Sequence, residues 1–115
     1  MTKTFTATVN KCVITSAASG GELEGTTQTY TVGDTAKDIT YADFTFNPSV
    51  CTNYVWTYTA LWDDAGTEKS TLPTGITHVP ASNKFTVSTS STADEGTFTI
   101  ILKGTLSDDA ATVVT

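Results

Sequence analysis

Two cysteines, one histidine and a few acidic pairs are the side chains of this sequence whose chemistry extends beyond packing and solvation. Cys12 and Cys51 each stand beside the end of a candidate strand. A bridge between them would close a loop of about 40 residues and stabilise the fold by roughly 4 kcal/mol in the chain-entropy treatment. The alternative is a pair of buried thiols. Two cysteines and one histidine do not supply four ligands, so a zinc centre is not expected. The acidic pairs Asp63/Asp64, Asp94/Glu95 and Asp108/Asp109 fall in expected turns. Two such turns at one pole of a fold can make an oxygen-rich calcium site, yet acidic turns are also ordinary punctuation between strands. No cofactor is therefore expected, and calcium is the single candidate. His78 lies in a short strand ahead of Val79-Pro80, and no G-x-S-x-G elbow accompanies it. Without a nucleophile to pair with that base, no catalytic residue and no enzyme activity are expected.

The aromatic row Tyr54, Trp56, Tyr58 and Trp62 repeats every second or fourth residue and so lies on one face of a strand. Such a face can stack sugar rings, or it can be core. The core reading is preferred for Trp56 and Tyr58, together with Phe85, Phe98 and Ile100.

The elements that must position these residues are strands. Of 115 residues, 27 are threonine and 9 serine, and β-branched threonine favours strands over helices. Six lysines and no arginine stand against 12 acidic residues, a net charge of -6. There is no basic face to neutralise phosphates, so nucleic-acid binding is not expected. No apolar run approaches the ~20 residues that cross a bilayer, so membrane insertion is not expected. The opening Met1-Thr2-Lys3-Thr4-Phe5 lacks a signal peptide's apolar stretch. A cysteine pair in an acidic, threonine-rich chain suits an oxidising compartment.

Alternation of period 2 recurs along the chain, and no window carries a helical repeat. Strands are expected at Lys3–Val9, Cys12–Thr15, Thr27–Val32, Ile39–Phe46, Asn53–Trp62, Ile76–Val79, Lys84–Thr89, Thr97–Leu106 and Ala110–Thr115. The segment Ser16–Gly21 reads as a break. The phase of Ile39–Phe46 changes near Tyr41, which implies a bulge or kink. Asn53–Trp62 should be central in its sheet. Seven to nine short strands punctuated by Gly, Pro, Asn and Asp imply an all-β, immunoglobulin-like or cadherin-like sandwich. Its threonines would face outward and could carry O-linked glycans.

Three stretches carry a family resemblance: Leu72-Pro73-Thr74-Gly75-Ile76-Thr77, Asn83-Lys84-Phe85-Thr86-Val87 and Asp94-Glu95-Gly96-Thr97-Phe98-Thr99-Ile100. In this order they resemble the Ig-like, dystroglycan-type cadherin-like repeats of large surface proteins. Cys12, Tyr30-Thr31-Val32-Gly33-Asp34 and Cys51 are similar to the cysteine-bearing repeats of ciliate extracellular proteins. The resemblance implies an extracellular or cell-surface structural and adhesive module, without enzyme activity. Its partners would be neighbouring copies or tandem repeats of the same protein, with glycans as a second class. No DxNDN or DRE calcium motif of the cadherins is present.

Joining Asp108–Thr115 to Thr2–Asn10 gives one long last strand that runs into a cysteine, as if the numbering cuts a repeat inside its last strand. Residues 1–10 therefore read as a linking or donated strand and 11–115 as the body of one domain. Phe5, Ala7 and Val9 form the apolar face of that strand, which would complete a sheet in the same or a neighbouring copy. The alternative is an ordinary first strand.

Overall fold

The structure, a computed structural model, describes residues 1–20, 23–51 and 54–107 and the backbone of 109–114. It is all-β, with nine short strands in three antiparallel sheets: β1 (Ser16–Ala18), β2 (Lys37–Thr40), β3 (Thr45–Asn47), β4 (Trp56–Asp64), β5 (Thr67–Lys69), β6 (Ile76–Val79), β7 (Lys84–Val87), β8 (Thr99–Leu106) and β9 (Asp109–Val114). Among the described residues helical structure is confined to two 3-10 turns, Pro80–Ser82 and Thr92–Asp94.

The four-stranded sheet runs β5-β4-β8-β9 and the three-stranded sheet β2-β7-β6, while β1 and β3 form a separate pair. The strongest alternation in the sequence thus became β4, flanked by β5 and β8. The β4–β5 turn uses Ala65 and Gly66, both at positive φ (53° and 90°), the two-residue hairpin geometry that matches strand twist. Asp63 Oδ1 accepts from the Gly66 N–H at 2.8 Å and closes that turn. The three- and four-stranded sheets meet over Tyr41, Ala60 and Phe85, with Ile39 and Ile76 from one sheet and Ile100 and Leu102 from the other packed around them.

Several strand assignments differ from expectation. The change of phase near Tyr41 is a switch between sheets: β2 ends at Thr40, and β3 resumes at Thr45 in the pair with β1. Cys12–Thr15 makes no strand, although the Thr15 N–H donates to the Asn47 carbonyl at 2.8 Å, and β1 lies in the expected break, where the short side chains of Ser16–Ala18 pair with Thr45–Asn47. Thr27–Val32 makes no strand either. Instead Tyr30 is tied by its hydroxyl, which donates to the Asp34 carbonyl at 2.7 Å.

Residues 1–13 form no pairing and are exposed throughout. They extend the molecule to 83 × 29 × 21 Å, with a radius of gyration of 19.9 Å, whereas a compact chain of this length has about 13 Å.

Candidate functional site: the arm and the open cleft

The residues marked by sequence divide into an N-terminal arm, a cystine that anchors it, an aromatic interior and acidic turns. In the arm, Phe5 is 89% and Val9 94% exposed, and Ala7 is exposed between them. The threonine-rich alternation disfavours a helix, and among the described residues no strand pairs with these residues. They therefore present an alternating apolar face to solvent.

Cys12 and Cys51 are bonded, with their Cα atoms 5.7 Å apart. Cys51 is 2% exposed, so the exposed Cys12 is tied to a buried point. The Tyr54 hydroxyl adds to the anchor by donating to the Cys12 carbonyl at 2.9 Å. This end of the molecule is where β4 begins, since Trp56 is opposite Leu106 in the β4–β8 register.

The aromatic row of β4 is occupied by packing. Phe44, 7% exposed, meets Trp56 and Tyr58 edge-on at centroid distances of 5.5 and 5.1 Å. Tyr54 packs on Phe46. Trp62 lies edge-on to Phe98, donates its indole N–H to the Thr71 carbonyl at 2.7 Å and is covered by Lys69. Phe85 is buried, while Trp56, Tyr58, Phe98 and Ile100 are half-buried.

A polar network, which sequence alone did not reveal, ties the two larger sheets together. The Tyr58 hydroxyl donates to Asp43 Oδ1 at 3.0 Å and accepts from the Phe44 N–H at 2.8 Å. Asn83 Nδ2 donates to the same Asp43 oxygen at 2.7 Å. Burial, with smaller contributions from the Asp43 carboxylate and its hydrogen bond, pushes the Tyr58 phenol up to about 12. Tyr41 Oη and His78 Nε2 lie 2.8 Å apart. Burial lowers the His78 imidazole from its ordinary value and raises the Tyr41 phenol, so at neutral pH Tyr41 donates to a neutral ring. His78 also stacks on Phe85 at 4.8 Å. No signal in the sequence could have paired Tyr41 with His78, which lie on different elements 37 residues apart.

The acidic pairs are engaged separately. Asp64 is ion-paired with Lys69, and Asp94 accepts from the Thr89 hydroxyl. Glu95 follows the 3-10 turn as its C-cap. Asp108 and the Asp109 side chain lie outside the described residues. Among the described residues no three of His, Cys, Asp and Glu gather as a metal site.

Between the two larger sheets lies an open cleft of 1360 Å³. Ile39, Ile76 and Val87 line one wall, and Phe98, Ile100 and Leu102 the other. The irregular stretch 24–32 borders it. β4 covers one edge of β8 from Thr99 to Leu106. On the other edge, β9 is in register only with Gly104, Thr105 and Leu106. Among the described residues nothing pairs with Thr99–Leu102 on that side. A scan against protein-family models, a search of curated proteins and a search of solved structures each found no match to this chain.

Proposed function

We propose that this chain is an extracellular structural or adhesive repeat module that builds a larger surface protein or filament by tandem or strand-exchange association. The observation that carries the reading is the arm. An alternating apolar segment held in solvent, at a fixed point on a disulfide-bonded body, has the form of a strand awaiting a sheet. The disulfide fits an oxidising setting outside the cytosol. Among the described residues no helix is long and apolar enough to cross a membrane. The immunoglobulin-like or cadherin-like sandwich and the non-enzymatic role rest on the sequence resemblance, together with the facing sheets. A sugar-binding platform on β4 is less favoured, because Trp56 and Tyr58 pack against Phe44 and Trp62 is covered by Lys69.

Deletion of residues 2–10 tests the proposal. Sedimentation velocity and electron microscopy of the oxidised full chain should show concentration-dependent oligomers or fibres, and the deleted chain should remain monomeric with its cooperative melt retained. A full chain that stays monomeric at every concentration overturns the reading.

A further inference from the structure

The outer strand β6 of the three-stranded sheet lies between β5 and β7 in the chain, and its main chain is only partly used. The Ser88 N–H donates to the Gly75 carbonyl at 2.9 Å, and bonded and non-bonded pairs alternate along an antiparallel ladder. With Ile76 opposite Val87 and His78 opposite Phe85, the main-chain groups of Thr77 and Val79 therefore face β7. Those of Ile76 and His78 face away from it. The Ile76 N–H is taken by the Pro73 carbonyl at 3.1 Å. The His78 N–H and the carbonyls of Ile76 and His78 remain, and among the described residues they have no main-chain partner.

A strand edge of this kind pairs with another chain unless charge or a cover protects it. β2, at the opposite margin of the same sheet, carries Lys37 and Asp38, and Lys37 Nζ donates to the Thr29 carbonyl at 2.9 Å. β5, a margin of the four-stranded sheet, carries Glu68 and Lys69. β6 reads Ile-Thr-His-Val, with no carboxylate and no amine. We infer that β6 is a contact surface for a second copy of this chain, joined edge to edge by an antiparallel β6–β6 pairing whose two-fold axis passes through Thr77. The inference goes beyond the strand-exchange reading and makes no use of the arm.

Under that axis the edge complements itself. The His78 N–H of each copy meets the Ile76 carbonyl of the other, so both free donors are satisfied. Ile76 packs on the core and His78 stacks on Phe85, and directly opposed residues of an antiparallel pair share a face. Ile76 of one copy therefore lies against His78 of the other, and the two core faces join. Thr77 is exposed and meets its own counterpart on the solvent side. An axis through His78 would instead oppose two imidazoles and run each strand onto Pro80, which has no N–H and opens a 3-10 turn. The two three-stranded sheets become one of six strands, in an isologous contact that closes on itself. Two main-chain hydrogen bonds are small against the entropy of bringing two free molecules together, so isolated modules stay apart in dilute solution. Where modules stand in rows, each contact raises the effective concentration of the next, and rows pair side by side.

Thr77→Cys in the full chain, with the Cys12–Cys51 bond intact, tests the contact, because the opposed Cα atoms would lie about 4.5 Å apart, within reach of a disulfide. Under mild oxidation it should form a covalent dimer several-fold faster than Val79→Cys, two residues along the same face, or Thr59→Cys, at an exposed position of β4. The preference should persist when residues 2–10 are deleted, which separates it from association through the arm. Equal rates at the three positions overturn the inference, and so does a preference that vanishes with the arm. A mixed Thr77→Cys/Val79→Cys dimer that forms faster than the Thr77→Cys homodimer moves the axis to His78 and overturns the register. As a second measurement, the amide NMR shifts of Thr77 and His78 should move with protein concentration, and Thr77→Lys, which sets two like charges across the axis, should remove that dependence without changing the melt. Shifts at these amides that are independent of concentration count against β6 as a contact surface.

Discussion

At the scale of single residues, the Tyr41–His78 pair and the Cys12–Cys51 bond have opposite legibility. The cysteines were conspicuous in the sequence because there are only two, and the structure joins them. Cys12→Ser should lower the free energy of unfolding by about 4 kcal/mol if the loop-closure treatment holds, measured by urea denaturation. In the sequence His78 has no evident partner, and the pairing with Tyr41 exists only because β6 and the segment after β2 are brought together. Its folded value lies below its unfolded one, so the unfolded chain binds the extra proton. Stability should therefore fall as pH drops below about 6.5, the unfolded imidazole value. Thermal melts between pH 7.5 and pH 5, read as about 7.5 and about 5 on the scale of imidazole titration, should show a slope that His78→Gln removes.

At the scale of elements, the strands that were read correctly are those with both alternation and a covered face. β4, β7 and β8 alternate apolar and polar residues along most of their length, and each has a neighbour that buries the apolar face. β5 escaped notice, since its three residues are exposed and it is held by the β4 hairpin and by the Lys103–Glu68 ion pair. The expected strand Thr27–Val32 alternates, yet it is held to Thr89 by the Tyr30 hydroxyl and the Gly33 N–H and forms no ladder. Alternation shows that a strand would have two unlike faces, not that a sheet edge is available to it. Gly104 shows the reverse dependence. In the sequence it interrupts the alternation of β8, yet a Cβ at that position would lie 2.5 Å from Phe44 Cδ2 and 3.0 Å from Trp56 Cε3. Gly104→Ala should destabilise the protein by about 1–3 kcal/mol through overpacking, visible as a lower denaturation midpoint with an unchanged m-value.

At the scale of the whole molecule, the imbalance between a cationic arm and an acidic body predicts how association responds to salt. If the arm docks as proposed, raising ionic strength from well below to well above the physiological range should weaken oligomerisation, as read by sedimentation, because exposed charge pairs are screened. A salt-insensitive or salt-strengthened assembly would mean that the apolar face of Phe5, Ala7 and Val9 acts without help from Lys3 and Lys11. The sequence alone determined that this protein is all-β, that its threonines alternate with apolar residues, and that its two cysteines were the candidates for a bond. Those properties follow from side-chain branching, a period of two and residue count, which are local or compositional. Tertiary structure alone decided which strand edges pair, where the chain switches sheets at Tyr41, and that the arm stands apart. These depend on contacts between residues tens of positions apart and on one covalent anchor, and no short-range pattern specifies which distant edge a strand will find.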